Sequence, residues 1–373
     1  MVERARLIRA VLGLDTSYYT TSAALVEMGD SGPADADQPI GSIGTRLADV
    51  RRPVSVPAGE RGLAQSEAVF RHLLALPEVL DEALATAART AAAAGGRLKV
   101  AAVAASVAPR PEMGSYMPVF KVAEGFGRSL ASALGVPMIP VTHQEGHLRA
   151  GLETSAAGRV LAGGRRLLAL HLSGGTSELL LLEPAEAVRT GRRARRPALF
   201  EVILLGGTID LHAGQFLDHL GVSMGLPFPA GPHLERLAEG GRRPEVVTLP
   251  VSGGLRDGRY YFSLSGPLSA AHRALGAGAD PADVAAAAQR TLAKALEKMV
   301  RPAIENTGIA DVLIAGGVAS NRYLRERLTE RLGHRAVGAR LHFPETALCV
   351  DNAVGVAWQG AAVHRWKSRA GAG

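Results

Sequence analysis

Along this chain, segments with the hydrophobic pattern of β-strands alternate with segments whose apolar residues recur at the spacing of an α-helix. This alternation predicts an α/β protein. Short apolar runs at residues 11–15 and 22–26 are separated by polar turn residues, which predicts a β-hairpin. Residues 167–172 and 178–182 predict a second hairpin in the same way. Single buried strands are predicted at residues 100–107, 136–141 and 311–315.

Between the predicted strands, apolar residues recur at helical spacing. Residues 66–90 follow this spacing, but Pro77 lies within them and predicts a break between two helices. Asp280 and Pro281 are typical first residues of a helix, which we expect to continue to about residue 305. Further helices are predicted at residues 120–134, at residues 320–332 and after residue 352.

The same series of a strand, a hairpin with small polar residues and a helix occurs near Asp15 and again near Ser173. This repetition predicts two duplicated α/β lobes with the architecture of the actin-like ATPases (ASKHA, RNase H-like), which hold a nucleotide between their lobes. We expect the first lobe at residues 1–163, completed by a C-terminal helix at 353–373, and the second at residues 164–352.

Two glycine-containing segments are candidates for binding the nucleotide. Ser173, Gly174 and Gly175 form the turn of the second hairpin, where backbone N–H groups can face a phosphate. Gly316 and Gly317 end a predicted strand directly before a helix, so the backbone can approach a ligand there. A glycine pair also forms ordinary tight turns, but the two segments together favour nucleotide binding.

His143 and His147 are the strongest candidates for metal ligands, because residues at i and i+4 lie on one face of a helix. A chance pair of histidines is the alternative. In zinc peptidases of the His-Glu-x-x-His type a glutamate follows the first histidine, whereas Gln144 stands there and Glu145 points elsewhere. Asp351, at a predicted helix start, is the candidate third ligand, although an ordinary helix cap would look the same.

Composition adds limits to this picture. The 373 residues suggest two domains, and a hydrophobic fraction of 47% excludes a disordered chain. The single cysteine, Cys349, and the lack of an apolar run of about 18 residues predict a cytoplasmic protein without membrane contact. The net charge of +7 is compatible with a nucleic-acid partner, or with the arginine usage of a GC-rich genome. A solvated loop or a phosphate-binding surface would explain the cluster Arg189, Arg192, Arg193, Arg195 and Arg196.

Six blocks in order resemble the tRNA adenosine threonylcarbamoyltransferases, historically described as O-sialoglycoprotein endopeptidases. They cover most of the chain, and Asp351 with Asn352 closes the series. The blocks are residues 12–17, 143–147, 172–175, 210–232, 262–266 and 315–325.

The resemblance implies a two-lobed actin-like fold and a defined reaction. Family members pass a threonylcarbamoyl group from threonylcarbamoyl-adenylate to N6 of the adenosine beside the anticodon of tRNA, and they assemble with protein partners. The resemblance also implies one divalent metal, iron or zinc, at His143, His147 and Asp351. By the same comparison, the adenylate would be held by Leu172, Ser173, Gly174, Gly175, Asp218, Gly231 and Asn321.

The chain departs from the family pattern at charged positions. Tyr19 and Thr20 replace an acidic pair, and residues 176–178, Thr-Ser-Glu, replace His-Thr-Gln. The acidic block of the family is also altered at residues 210–219. A non-catalytic nucleotide-binding scaffold in a tRNA-modification complex and a carbamoyltransferase with another acceptor therefore stay open. A sugar-kinase-like phosphotransferase is less favoured, because that reaction does not explain the histidine pair.

Overall fold

The computed structural model describes residues 6–29, 44–57, 59–185 and 200–370. Its strands are β1 (Arg6–Ser17), β2 (Thr20–Glu27), β3 (Arg46–Pro53), β4 (Gly96–Ala108), β5 (Met138–Thr142), β6 (Leu167–Leu172), β7 (Ser177–Pro184), β8 (Phe200–Thr208), β9 (Ser252–Arg256), β10 (Arg259–Ser263), β11 (Asp311–Ala315) and β12 (Arg340–His342). Its α-helices are α1 (Gln65–Ala93), α2 (Phe120–Leu134), α3 (His143–Thr154), α4 (Ala157–Ala162), α5 (Ala213–Ser223), α6 (Gly231–Ala238), α7 (Ser265–Gly276), α8 (Pro281–Thr307), α9 (Arg322–Gly333), α10 (Thr346–Cys349) and α11 (Val354–Ala370).

The strands form two sheets with the same internal order. The first sheet runs β3-β2-β1-β4-β5, and the second contains β8-β7-β6-β11-β12, extended by β10 and β9 beyond β8. In both sheets the first two strands form an antiparallel hairpin, and the first strand pairs in parallel with the fourth. The identical order and direction confirm the predicted duplication of an α/β unit.

Helices cover both faces of each sheet. In the first sheet, β1 and β2 pack against α1 on one face and against α11 on the other. In the second sheet, α5, α8 and α9 cover one face, whereas α3 and α4 cover the other. Helix α3 also packs against α11, and the first turn of α3 therefore lies where the two lobes meet.

The expected break at Pro77 is wrong, because α1 is continuous from Gln65 to Ala93. Pro77 lies on the exposed face of the helix, where water can bond the carbonyl group that loses its partner. Leu76, Val79 and Leu80 are buried on either side of the proline, so packing on the sheet keeps the two halves in line.

The C-terminal helix α11 packs on β1 and β4 of the first sheet, although the second sheet precedes it in the chain. The segment between α3 and β6 and the segment before α11 therefore connect the lobes. The domain limits at residues 163 and 352 stay predictions. Within the described residues, no helix is long and apolar enough to cross a membrane.

Candidate functional site

The first two turns of α3 carry the candidate histidines, and a capping box fixes where the helix begins. The Thr142 hydroxyl accepts a hydrogen bond from the Glu145 N–H at 3.2 Å, and Glu145 Oε2 accepts one from the Thr142 N–H at 2.8 Å. Glu145 is thereby held at the helix terminus. A peptidase mechanism would need this carboxylate beside the histidines, and the capping geometry gives no support to it.

His143, His147 and Asp351 converge although Asp351 is far from the histidines in the sequence. One ligand atom from each residue lies within 4.8 Å of the others. Asp351 Oδ1 is 3.2 Å from His147 Nε2 and 3.5 Å from His143 Nε2, and the two imidazole rings are 4.6 Å apart. Two imidazoles and a carboxylate are suitable ligands for a divalent cation such as zinc or iron.

A glycine contact between α3 and α11 brings Asp351 to the histidines. A Cβ atom at Gly355 would lie 2.0 Å from the Gly146 carbonyl oxygen, so the helix backbones touch at this point. Asn352, and not Asp351, caps α11, because its Oδ1 accepts from the Gly355 N–H at 3.0 Å. The Asp351 carboxylate is therefore directed at the histidines, which removes the alternative that it is an ordinary cap.

Polar side chains of the first lobe orient this cluster. His143 Nδ1 lies 3.2 Å from both carboxylate oxygens of Asp15, which leaves Nε2 on the side of Asp351. Asp15 also accepts a hydrogen bond from Ser106. Ser17 donates to Asp351 Oδ2 at 2.7 Å. A carboxylate behind a histidine ligand is a common arrangement, because it fixes the ring and raises the basicity of the other nitrogen.

The charges of the cluster favour a cation. Burial lowers the pKa of His143, but Asp15 and Asp351 outweigh burial and raise it to about 10. Burial lowers the pKa of His147 and keeps its ring neutral. Burial also opposes the ionisation of Asp351, yet hydrogen bonds from both histidines hold the pKa of its carboxyl well below the usual range. Two carboxylates against one charged imidazole leave one net negative charge, and a divalent cation that displaces the His143 proton would neutralise the site.

A second buried network extends from the histidines into the second lobe. His171 on β6 lies with its ring 5.1 Å from that of His147, and its Nδ1 is 3.3 Å from Gln144 Nε2. Gln144 donates to Glu178 Oε2 at 2.7 Å, and Glu178 Oε1 pairs with Arg110 at 2.9 Å. This network joins α3, the segment after β4 and the second hairpin.

The two glycine segments predicted to bind a nucleotide lie side by side. Gly316 has a φ of +94°, and a Cβ atom there would lie 2.4 Å from the Leu172 carbonyl oxygen. The end of β11 therefore touches the end of β6, where the Ser173 turn begins. The Ser173 hydroxyl accepts from the Thr176 N–H at 3.0 Å and fixes that turn. Nothing lies within 4 Å of a Cβ atom built at Gly174, Gly175, Gly231 or Gly317.

Asp218 and Asn321, the predicted polar anchors of the adenylate, also support the backbone. Asp218 Oδ1 accepts from the N–H groups of Ala230 and Gly231 at 2.7 and 3.2 Å, at the start of α6. Burial raises the pKa of the Asp218 carboxyl. Asn321 caps α9 through the Leu324 N–H at 2.9 Å and donates to Gln289 at 2.7 Å. The assignment of these residues to a nucleotide stays a prediction.

Sequence reasoning did not identify Asp15, Ser17, His171 or Glu178 as members of the cluster. Asp15 lies 128 positions from His143, and Ser17 lies 334 positions from Asp351, so no local spacing could indicate these contacts. The arginine cluster at Arg189–Arg196, which is the predicted phosphate-binding surface, lies outside the described residues.

The sequence of this chain is similar to the members of one family of known proteins. Residues 56–358 match the family model of tRNA N6-adenosine threonylcarbamoyltransferase. A protein of that name from Carboxydothermus hydrogenoformans is 32% identical over 362 residues, which are 96% of this chain and 93% of the relative. A second relative, from Methanobrevibacter smithii, is 34% identical over 248 residues, which are 66% of this chain and 40% of the relative's length. Its name is probable bifunctional tRNA threonylcarbamoyladenosine biosynthesis protein.

Among solved structures, T. kodakarensis HypF is similar in fold. The TM-score is 0.56 at 16% sequence identity, and the match covers 98% of this chain but 48% of that one. The chain thus spans about half the length of this structural neighbour. At this identity the similarity concerns the fold alone, and with the duplicated sheets it confirms the two-lobed actin-like architecture.

Proposed function

The chain belongs to the tRNA N6-adenosine threonylcarbamoyltransferase family, and from this premise we propose that it transfers a threonylcarbamoyl group to an adenosine of tRNA. It is an enzyme of the acyltransferase type. In the full proposal the donor is threonylcarbamoyl-adenylate, the acceptor is N6 of the adenosine beside the anticodon, and AMP is released. The reaction would depend on one divalent metal, iron or zinc.

The observation that carries this proposal is the convergence of His143, His147 and Asp351 within 4.8 Å. Three groups of this kind leave positions open for oxygen atoms of a substrate. A divalent cation bound there would supply Lewis-acid polarisation of an oxygen of the adenylate. The buried surroundings and the orientation of His143 by Asp15 fit such a cation.

The chain's own residues would bind and orient the adenylate. Nothing lies within 4 Å of a Cβ atom built at Gly174, Gly175 or Gly317, so the backbone leaves room there for an anionic phosphate. Asp218 has one carboxylate oxygen bonded to the backbone, and the second oxygen would accept hydrogen bonds from ribose hydroxyls. Asn321 would contribute by fixing the start of α9.

The proposal also implies a nucleic-acid partner and protein partners. tRNA is the expected nucleic-acid partner, in agreement with the net charge of +7. The name of the bifunctional relative from Methanobrevibacter smithii supports the expectation that further proteins of the modification pathway take part. The cytoplasmic location expected from the single cysteine stays a prediction.

The test is to incubate the protein with threonylcarbamoyl-adenylate, unmodified tRNA and metal, with and without cell extract. Mass spectrometry of the digested tRNA then measures the modified adenosine. We expect the wild-type protein to modify tRNA, and we expect His147→Ala to lose both the modification activity and the bound metal. The control His334→Ala, at the end of α9, should retain both. Modification that requires the extract also supports the proposal and indicates a partner-dependent enzyme.

If the adenylate binds and neither condition modifies tRNA, the chain is not a tRNA-modifying transferase. The scaffold and a different acceptor then become the favoured functions. Metal analysis of the purified protein tests the metal separately, because His143→Ala and His147→Ala should each abolish stoichiometric metal and leave the circular dichroism spectrum unchanged.

A further inference from the structure

An aromatic contact joins the two lobes beside the cleft. Tyr19 lies in the turn between β1 and β2 of the first lobe, and Phe228 lies between α5 and α6 of the second. The two ring centroids are 4.7 Å apart with an angle of 62° between the planes, which is an edge-to-face arrangement. Opening of the lobes would separate these rings.

Both rings are held in place by their own lobes. The Tyr18 ring packs edge-on against Tyr19 at 4.6 Å, and its hydroxyl donates to the Leu63 carbonyl at 2.5 Å. A side chain at Gly62 would collide with the Tyr19 hydroxyl, since a Cβ atom there would lie 2.6 Å from it. In the second lobe, Asp218 accepts hydrogen bonds from the N–H groups of Ala230 and Gly231, which holds the backbone shortly after Phe228.

An ion pair makes a second connection between the lobes. Arg110 follows β4 of the first lobe, and Glu178 lies on β7 of the second, at a distance of 2.9 Å. The Glu178 side chain is 10% exposed and also accepts the hydrogen bond from Gln144. Because Glu178 is nearly buried and Arg110 is 30% exposed, salt screens this pair less than a fully exposed pair, although separating it exposes both charges to solvent.

We propose that Tyr19 and Glu178 are positioning residues that hold the two lobes closed over the cleft. The two contacts, Tyr19–Phe228 and Arg110–Glu178, are named the interlobe clasp. A carboxylate at residue 19 would be desolvated against the Phe228 ring. An amide at residue 178 would give Arg110 no opposite charge.

The interlobe clasp has a consequence for ligand exchange. A ligand bound between the Ser173 turn and the metal cluster would contact both lobes, so we expect the clasp to slow its release. The inference concerns the closed state of the lobes and does not depend on the proposed transfer reaction.

Distances between the lobes test the clasp directly in the full-length protein. Cys349, the single native cysteine, is fully buried, so spin labels can be placed on Arg128→Cys in α2 and Glu330→Cys in α9. Double electron–electron resonance is then measured without substrate for the otherwise wild-type protein, Tyr19→Leu, Glu178→Gln and the combined variant. Tyr19→Phe, which keeps the ring, and Tyr261→Leu on β10 are the matched controls.

We expect one narrow distance distribution for the wild-type protein and for both controls. Tyr19→Leu and Glu178→Gln should each add a population of molecules with a longer distance between the labels. This population should be largest in the combined variant. Loss of one aromatic contact corresponds to a rise of about 2- to 13-fold in the ratio of open to closed molecules. Amide hydrogen exchange in residues 17–21 and 224–230 should accelerate by the same factor, which detects small open populations.

A combined variant that keeps both the wild-type distances and the wild-type exchange rates would overturn the clasp. Because both measurements are made without substrate, this failure is independent of the outcome of the transfer assay. Circular dichroism and the thermal midpoint of each variant show whether it is folded. Glu178→Gln, which has nearly the shape of glutamate, keeps the test valid if Tyr19→Leu does not fold.

Discussion

At the scale of single residues, Asp15 decides which nitrogen of His143 faces the metal cluster. Its carboxylate contacts Nδ1 at 3.2 Å, and Nε2 is therefore directed at Asp351. We predict that Asp15→Asn lowers the affinity for Zn²⁺ or Fe²⁺ by about 10- to 100-fold, the usual effect of losing a partner behind a ligand. Competition with a chromophoric chelator measures this affinity.

The control for this variant is Asp49→Asn, which removes a carboxylate of the same lobe that pairs with Arg51 away from the cluster. Its metal affinity should equal that of the wild-type protein. An unchanged affinity in Asp15→Asn would show that packing alone orients His143.

At the scale of elements, the close crossing of α3 and α11 sets the position of Asp351. A methyl group at Gly355 would meet the Gly146 carbonyl oxygen at 2.0 Å, so the helices must move apart in Gly355→Ala. We predict a loss of about 1–3 kcal/mol in the free energy of unfolding, as is typical of overpacking. We also expect weaker metal binding, since Asp351 moves with α11. Urea denaturation and metal titration measure the two effects.

Gly125→Ala in α2 is the matched control, because nothing lies within 4 Å of a Cβ atom there. It should be as stable as the wild-type protein or slightly more stable, since alanine favours helix. If Gly355→Ala retains both stability and metal affinity, the crossing is looser than the backbone contact indicates.

A second element-scale prediction concerns the pairing of β11 with β12. Asp311 on β11 accepts two hydrogen bonds from Arg340, at 2.9 and 2.6 Å, and contacts His342 at 2.9 Å. The bonds from Arg340 are the main reason that the pKa of Asp311 lies below its ordinary value of 3.8. A carboxyl with a lowered folded-state pKa stabilises the protein above its unfolded-state pKa, and this contribution disappears as the pH falls through the folded-state pKa.

We therefore predict that Asp311→Asn is less stable than the wild-type protein by about 1–3 kcal/mol at pH 7, the range for hydrogen bonds to charged groups. The difference should stay constant down to about pH 4 and shrink at lower pH, because the carboxyl then becomes protonated. Urea denaturation across this pH range measures it. The control is Asp257→Asn, at an exposed turn, which should be as stable as the wild-type protein. A stability difference for Asp311→Asn that persists at the lowest pH would contradict the role of the Asp311 charge.

At the scale of the whole molecule, the net charge of +7 predicts that tRNA binding depends strongly on salt. We expect a loss of about a thousandfold or more in affinity between roughly 50 and 200 mM salt if six or more phosphates are contacted. Replacing Arg189, Arg192, Arg193, Arg195 and Arg196 by serine should weaken binding and flatten the salt dependence. Fluorescence anisotropy with labelled tRNA measures both.

The matched control replaces five exposed arginines elsewhere, namely Arg89, Arg97, Arg128, Arg159 and Arg301. It changes the net charge by the same amount. If both variants lose affinity equally, the effect belongs to the net charge, and the cluster is a solvated segment without a docking role.

The sequence by itself determined those features that depend on neighbouring residues. Asp280 accepts a hydrogen bond from Ala282 and caps α8 before Pro281, as the local rules for helix starts predict. The two hairpins could be predicted because strand periodicity and turn residues are local, and their repetition was enough to predict a duplicated α/β unit. The spacing of His143 and His147 likewise places two imidazoles on one face of a helix, about one turn apart.

Only the tertiary structure decided which distant residues meet. The contacts of His143 with Asp15, of His147 with Asp351 and of Tyr19 with Phe228 depend on how β1, α3 and α11 pack, and no local pattern encodes that packing. Pro77 shows the same limit, because burial on both of its sides overrides a local signal for a helix break. Contacts between segments far apart in the chain form only when sheet register and helix crossings are set together, and this is why the metal cluster and the interlobe clasp became visible in the folded protein.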